Sequence, residues 1–153
     1  MSTVSQLLRT KGSNVISIAP EASIYDALQL MAEKNIGAVL VVENEEMVGI
    51  FSERDYARKV VLKGRSSKET RVAELMTSNV YFVKPSRSME DCMVLMSAKY
   101  IRHLPVMEDG KLVGIVTMRD VVKALIANKE NTIRELETYI SGGYTMGARG
   151  SAE

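Results

Sequence analysis

The sequence predicts an α+β fold of two pseudo-twofold-related βαββα repeats, with short N-terminal and C-terminal helices. Two observations carry this. The stretch Val48-Gly49-Ile50-Phe51-Ser52-Glu53-Arg54-Asp55 returns 65 residues later as Val113-Gly114-Ile115-Val116-Thr117-Met118-Arg119-Asp120. Residues 15–62 also superpose on 80–127 without a gap, giving 15 identities in 48 pairs, among them Pro20/Pro85, Ser23/Ser88, Asp26/Asp91 and Gly49/Gly114. Units this small bury too little apolar surface alone, so the copies are expected to pack together.

Met1 to Thr10 is helix-permissive, with Val4, Leu7 and Leu8 at helical spacing, and Lys11-Gly12-Ser13-Asn14 breaks it. Val15 to Ile18 reads as a brief strand ended by Pro20. Ser23 with Asp26 three residues on marks a helix start, and Ile24, Ala27, Leu28 and Met31 form its buried side. Ala38 to Val42 is wholly apolar and suits a strand buried on both faces. A turn over 43–46 returns the chain as a strand from Met47 to Phe51. A helix from about Arg54 to Leu62 then buries Tyr56, Ala57, Val60 and Val61.

Residues 63–71 lead to the second copy, where Pro105 inside an apolar strand implies a sheet edge or a bulge. The leading helices correspond too, Val4, Leu7 and Leu8 matching Val72, Leu75 and Met76 at an offset of 68. The expected organisation is a first repeat with its N-terminal helix over 1–67 and a second over 68–127. A helix over 128–140 follows, with Ile133, Leu136 and Ile140 on one side, and then a disordered tail over 141–153.

Composition narrows the function. Twenty Lys and Arg against nineteen Asp and Glu leave no basic stripe for nucleic acid, and Lys63, Arg65, Lys68 and Arg71 read as a solvated loop. Cys92 is the single cysteine; it replaces Ala27 on an apolar helix face, which favours a buried small residue over a nucleophile. One histidine excludes a multi-histidine metal site within the chain, and the ten methionines fall mostly at core positions. With no leader pattern and no apolar run near ~20 residues, a cytoplasmic protein without a membrane span is expected.

Ser52-x-x-Asp55 and Thr117-x-x-Asp120 are helix caps on the plainest reading. Three features point further. A glycine in each strand implies that something approaches the backbone there. The helix start offers N–H groups to an anion, and Arg54 and Arg119 sit poorly at that end without a negative ligand. A carboxylate can also accept two hydrogen bonds from a ribose diol. Ribose on the Asp and phosphate near the hydroxyl would make a mononucleotide site.

These motifs, with Arg102-His103-Leu104-Pro105-Val106, resemble the cystathionine-β-synthase (CBS) domain, and the two copies resemble its tandem pair, the Bateman module, over about residues 4–127. The resemblance implies a stand-alone regulatory protein that binds AMP, ATP or NAD(H), with S-adenosylmethionine ranked after them. It implies clefts shared between repeats. One would combine Thr117, Met118, Arg119 and Asp120 with Ile16, Ile18, Pro20, Gly37 and Ala38. The other would combine Ser52, Glu53, Arg54 and Asp55 with Tyr81, Val83, Pro85, Arg102 and His103. A homodimer signalling to an unknown partner is implied as well.

Gly37-Ala38 becomes Arg102-His103 in the second copy, so the Ser52/Asp55 cleft is expected to take the more charged phosphate. A nucleotide sensor without catalysis is the leading reading, with adenine nucleotide binding shifting one repeat or chain against another. The alternatives are an enzyme acting on the bound nucleotide and a purely structural dimerisation module. No activated nucleophile or metal cluster supports the enzyme.

Overall fold

The structure is a computed structural model that describes residues 2–128 and Thr138. The helix expected from Asn131 to Ile140 (Thr138 apart) and the tail over 141–153 lie outside the described residues.

Helix α1 (Val4–Lys11) begins on a reciprocal Thr3/Gln6 cap and ends at Gly12, whose φ of 94° suits glycine. Strand β1 (Ser17–Ile18) precedes α2 (Ile24–Lys34), whose first turn is capped by the Asp26 N–H donating to Ser23 Oγ at 3.0 Å. Asn35, left-handed at φ 54°, stops it. Strands β2 (Ala38–Glu43) and β3 (Glu46–Ser52) pair antiparallel, while β1 lies parallel to the other edge of β2. Helix α3 (Glu53–Asp55) continues as a π-helical segment over Tyr56–Val61.

The second copy begins with α4 (Val72–Leu75), then α5 (Met89–Lys99), capped by Ser88 and stopped by a left-handed Tyr100. Strands β4 (His103–Glu108) and β5 (Lys111–Thr117) pair as β2 and β3 do, and α6 (Met118–Asn128) follows.

Alternation along the strands gives each sheet two different faces. Val39, Val41 and Phe51 face the helices in one core, and Leu104, Val106 and Val116 do so in the other. Ala38 and Leu40 on the other face are buried as well, as the composition of β2 implies, although Ala38 and Ile50, the cross-strand partner of Leu40, border a cavity. The apolar faces expected of α2 and α3 are only partly covered. Ile24, Ala27, Met31 and Val60 are buried, Leu28 and Tyr56 are half-buried, and Ala57 and Val61 are exposed.

The first strand of the second copy is reduced to one parallel bridge, Val83 with Val106. The reason is chemical. In the first copy the Leu40 N–H donates to the Ile16 carbonyl. Pro105 occupies the position equivalent to Leu40 and has no N–H to offer Tyr81. The bulge in β4 after Val106 has a twin in β2 after Val41, where no proline stands, so Pro105 does not cause it.

The leading helices cross over. Val4, Leu7 and Leu8 of α1 pack in the core of the second repeat, while Val72, Leu75 and Met76 pack in the first. The crossed docking is hydrogen-bonded at its start. Ser5 N–H donates to the Pro85 carbonyl, and its counterpart Ala73 donates to Pro20, at 2.8 and 2.9 Å. The first repeat's core therefore takes its leading helix from beyond residue 67, and residues 4–11 complete the other core.

Candidate functional site

A cavity of about 400 Å³ opens between the repeats, at the start of α3. This lies within the range of small-ligand sites, roughly 300–1,000 Å³. From the first repeat, Ser52, Glu53, Arg54 and Asp55 line it; from the second come Tyr81, Arg102 and His103. The family resemblance grouped these residues, and the structure brings them together. Gly37 and Ala38, assigned by the sequence to the other cleft, form part of this wall too. Strand pairing accounts for it: Ala38 lies opposite Ser52, and the Glu53 N–H donates to the Gly37 carbonyl at 3.0 Å. His103 likewise lies opposite Thr117, and Met118 N–H donates to the Arg102 carbonyl. Each dipeptide therefore borders its own repeat's motif, and Arg102-His103 borders the other's as well.

Several expected residues serve the fold. Val83 is buried in the second core, and Pro20 and Pro85 receive the leading helices through their carbonyls. Ile16 and Ile18 pack against the first core. The strand glycines are approached closely, but by the leading segments: by side chains at both and, at Gly49, also by the Thr77 carbonyl. A Cβ on Gly114 would meet Leu8 Cδ2 at 2.7 Å, and one on Gly49 would meet Met76 Sδ at 2.6 Å.

Asp55 is held by its own helix. Its Oδ2 accepts from Ser52 N at 2.9 Å and from Ser52 Oγ at 3.0 Å, and its Oδ1 lies 3.1 Å from Lys59 Nζ. Lys59 also donates to the Leu75 carbonyl at 3.0 Å. A carboxylate offers about four acceptor positions, so capacity remains on the cavity side for a further donor. Arg54 Nη1 donates to the Tyr100 carbonyl, bridging the repeats.

The second motif is furnished differently. Ala124 replaces Lys59, and Asp120 Oδ2 takes instead the Lys11 ammonium at 2.6 Å, together with Thr117 N at 2.9 Å. Burial raises the Asp120 pKa, but the Lys11 hydrogen bond and the Thr117 backbone outweigh it and hold the carboxyl below its ordinary value. His103 moves down: burial disfavours its cation, Arg102 and Lys11 add repulsion, and Asp120 partly compensates.

Sequence reasoning missed Lys11, Thr77, Asn79, Lys99 and Tyr100. The last four line the cavity. The 68-residue offset of the leading helices, extended one turn, pairs Lys11 with Asn79 and was the available signal. Among the described residues, no group of three His, Cys, Asp or Glu side chains is arranged to hold a metal, and no helix is long and apolar enough to cross a membrane.

Comparison with known proteins matches the CBS domain family model at residues 4–62 and again at 72–127. The CBS domain-containing protein CBSX3, mitochondrial, of Arabidopsis thaliana is 36% identical over 151 residues, covering 93% of this chain and 73% of the relative. The Bacillus subtilis protein YhcV is 33% identical over 129 residues, covering 84% of this chain and 89% of its own. A solved protein with CBS domains from Burkholderia ambifaria shares 49% identity at a TM-score of 0.80, covering 84% of this chain and 96% of that one. The CBS domain pair of protein MJ0100, solved with 5-methylthioadenosine and S-adenosyl-L-methionine, shares 25% identity at a TM-score of 0.74, covering 84% and 99%.

Proposed function

The chain belongs to the CBS domain family as a tandem pair, and from that premise we propose a regulatory module that binds a phosphate-bearing adenine nucleotide, AMP, ATP or NAD(H), in the Asp55 cavity. One observation carries the reading: Asp55 and Arg102 line the same cavity from different repeats. A carboxylate suits the two hydroxyls of a ribose, and a guanidinium suits a phosphate bidentately. Lys99 and Arg54 add positive charge to the same wall, and the Tyr81 ring offers a surface for a base. This charge ranks the phosphate-bearing nucleotides ahead of S-adenosylmethionine, although the MJ0100 pair was solved with the latter. A ligand that touches both repeats changes their relative arrangement only through its differential affinity for the two states, and a partner reads that change.

A second copy of the chain is the proposed oligomeric partner. Val61 and Ile126 occupy equivalent positions in the two repeats and both are exposed, as a self-complementary contact requires. Sedimentation of the wild type and of a Val61→Glu/Ile126→Glu variant tests this; equal mass for both proteins overturns it. The cytoplasmic location expected from the sequence is part of the same reading, and since the Arabidopsis relative is mitochondrial, imaging of a tagged chain decides it.

Calorimetric titration with AMP, ATP, NADH and S-adenosylmethionine tests the ligand. Binding of at least one phosphate-bearing nucleotide is expected, weakened tenfold or more by Asp55→Asn or Arg102→Ala. Silence with all four sinks the sensor, and turnover of any one makes the chain an enzyme.

A further inference from the structure

His103 is the single histidine of the chain, and it lines the Asp55 cavity from the second repeat. The equivalent position in the first repeat is Ala38, so the ring is a titratable group where the other copy is apolar. Gly37 faces it across the cavity wall. A Cβ on Gly37 would stand 3.9 Å from His103 Cε1 and 3.4 Å from Glu53 Oε1, which are ordinary contact distances. The Gly37 backbone is not left-handed, so its conformation does not require glycine. The missing side chain instead leaves room at the Cε1 edge, between the two ring nitrogens.

Those nitrogens are uncommitted. Among the described residues, neither is paired in a hydrogen bond or an ion pair. The charges around the ring come from several elements. Arg102 adjoins it in the chain, Lys11 reaches it from α1 and Asp120 from α6. Glu53, Arg54 and Asp55 at the start of α3, and Lys99 at the end of α5, share the cavity wall. Asp55 is already answered by Lys59 at 3.1 Å. Burial, Arg102 and Lys11 disfavour the imidazolium more than Asp120 favours it, so the ring is neutral at about pH 7. A phosphate beside Arg102 reverses this balance. It offsets the guanidinium charge and offers an acceptor to a second ring N–H, which only the cation possesses.

We propose that the nucleotide's phosphate takes the His103 ring as a cation, so that the Asp55 cavity binds a proton from solvent together with AMP. The module then responds to acidification as well as to nucleotide, holding AMP more tightly as the medium falls toward about pH 6.5. This rests on the nucleotide-binding reading, which puts the phosphate at Arg102.

Proton NMR of the untagged full chain tests it, because one histidine gives one imidazole titration. The ring is titrated in the free chain, with saturating AMP, and with adenosine, which carries no phosphate. AMP is expected to raise the pKa by about one unit or more, equivalent to a roughly tenfold gain in AMP affinity from the alkaline to the acid limit. Adenosine should not raise it. Calorimetric AMP affinities at about pH 8 and about pH 6.5 should show His103→Gln losing that gain relative to wild type. The phosphate's own titration is common to both proteins. An AMP-bound value no higher than the free one, or an equal rise with adenosine, overturns the inference and leaves the Asp55 site standing. No AMP bound by the wild type removes both readings.

Discussion

The Arg54 guanidinium donates from Nη1 to the Tyr100 carbonyl at 3.0 Å, tying the first repeat's motif to the C-terminal end of α5 in the second. Arg119, its counterpart, makes no such bond to Asn35. A cation there satisfies a helix-end carbonyl. Arg54→Ala is expected to cost about 1 kcal/mol, a fall of roughly 2–4 °C in melting temperature. Arg119→Ala should move it less. A phosphate in the cavity offers Arg54 a second acceptor, and the guanidinium leaves Tyr100 only for a stronger bond, so nucleotide should widen the gap between wild type and Arg54→Ala. Equal melting shifts for the two arginine variants would contradict the structural bond.

The strand glycines differ in what lies above them. A Cβ on Gly114 meets only the tip of Leu8, whereas one on Gly49 also meets the Thr77 backbone oxygen at 2.9 Å. A side-chain tip can shift more easily than a paired backbone. Gly49→Ala should cost roughly 2–3 kcal/mol and Gly114→Ala about 1 kcal/mol. Urea denaturation of both variants measures this, and the reverse order refutes it.

Cys92 is buried, and desolvation pushes its thiol up to about 11, with Asp91 adding to the rise and Arg87 opposing it. Thiolate is the reactive form. A disulfide exchange reagent at pH 8 should leave the native chain unmodified and titrate one thiol in denaturant. Rapid native labelling would place Cys92 at a more open position.

His103 titrates below its ordinary value of 6.5 because burial, Arg102 and Lys11 disfavour the cation. The unfolded chain therefore binds that proton more readily than the fold does. This contribution to stability is fully present above about pH 6.5 and is lost as pH falls through the lower folded value. His103→Gln should flatten the pH dependence of the denaturation midpoint across that window. An unchanged slope would mean that the imidazole is not desolvated.

The βαββα order, the Ser23 and Ser88 caps and the doubly buried β2 were legible because each depends on residues close in sequence. The cleft wall of Ser52 to Asp55, Arg102 and His103 was legible as a grouping only through the resemblance to the CBS domain, since the repeated motif marks each half without saying which strands face it. Lys11 was not, since its contact with Asp120 spans 109 residues and locally it reads as a helix breaker's neighbour. Pro105 announced an irregular strand, but the affected partner was Tyr81, on another segment. Ala57 and Val61 read as core because apolar spacing identifies a face without saying what covers it.

The crossed leading helices have a consequence for the chain's divisibility. Cut between the repeats, each fragment would carry a helix made for the other's core and lack the helix made for its own. Two such fragments can be completed only by trading helices, so they should be obligate complements. A single repeat on its own could satisfy itself only by reciprocal exchange with a copy of itself. The linker over 63–71 turns that exchange from an encounter in solution into an intramolecular one, and makes its strength independent of protein concentration.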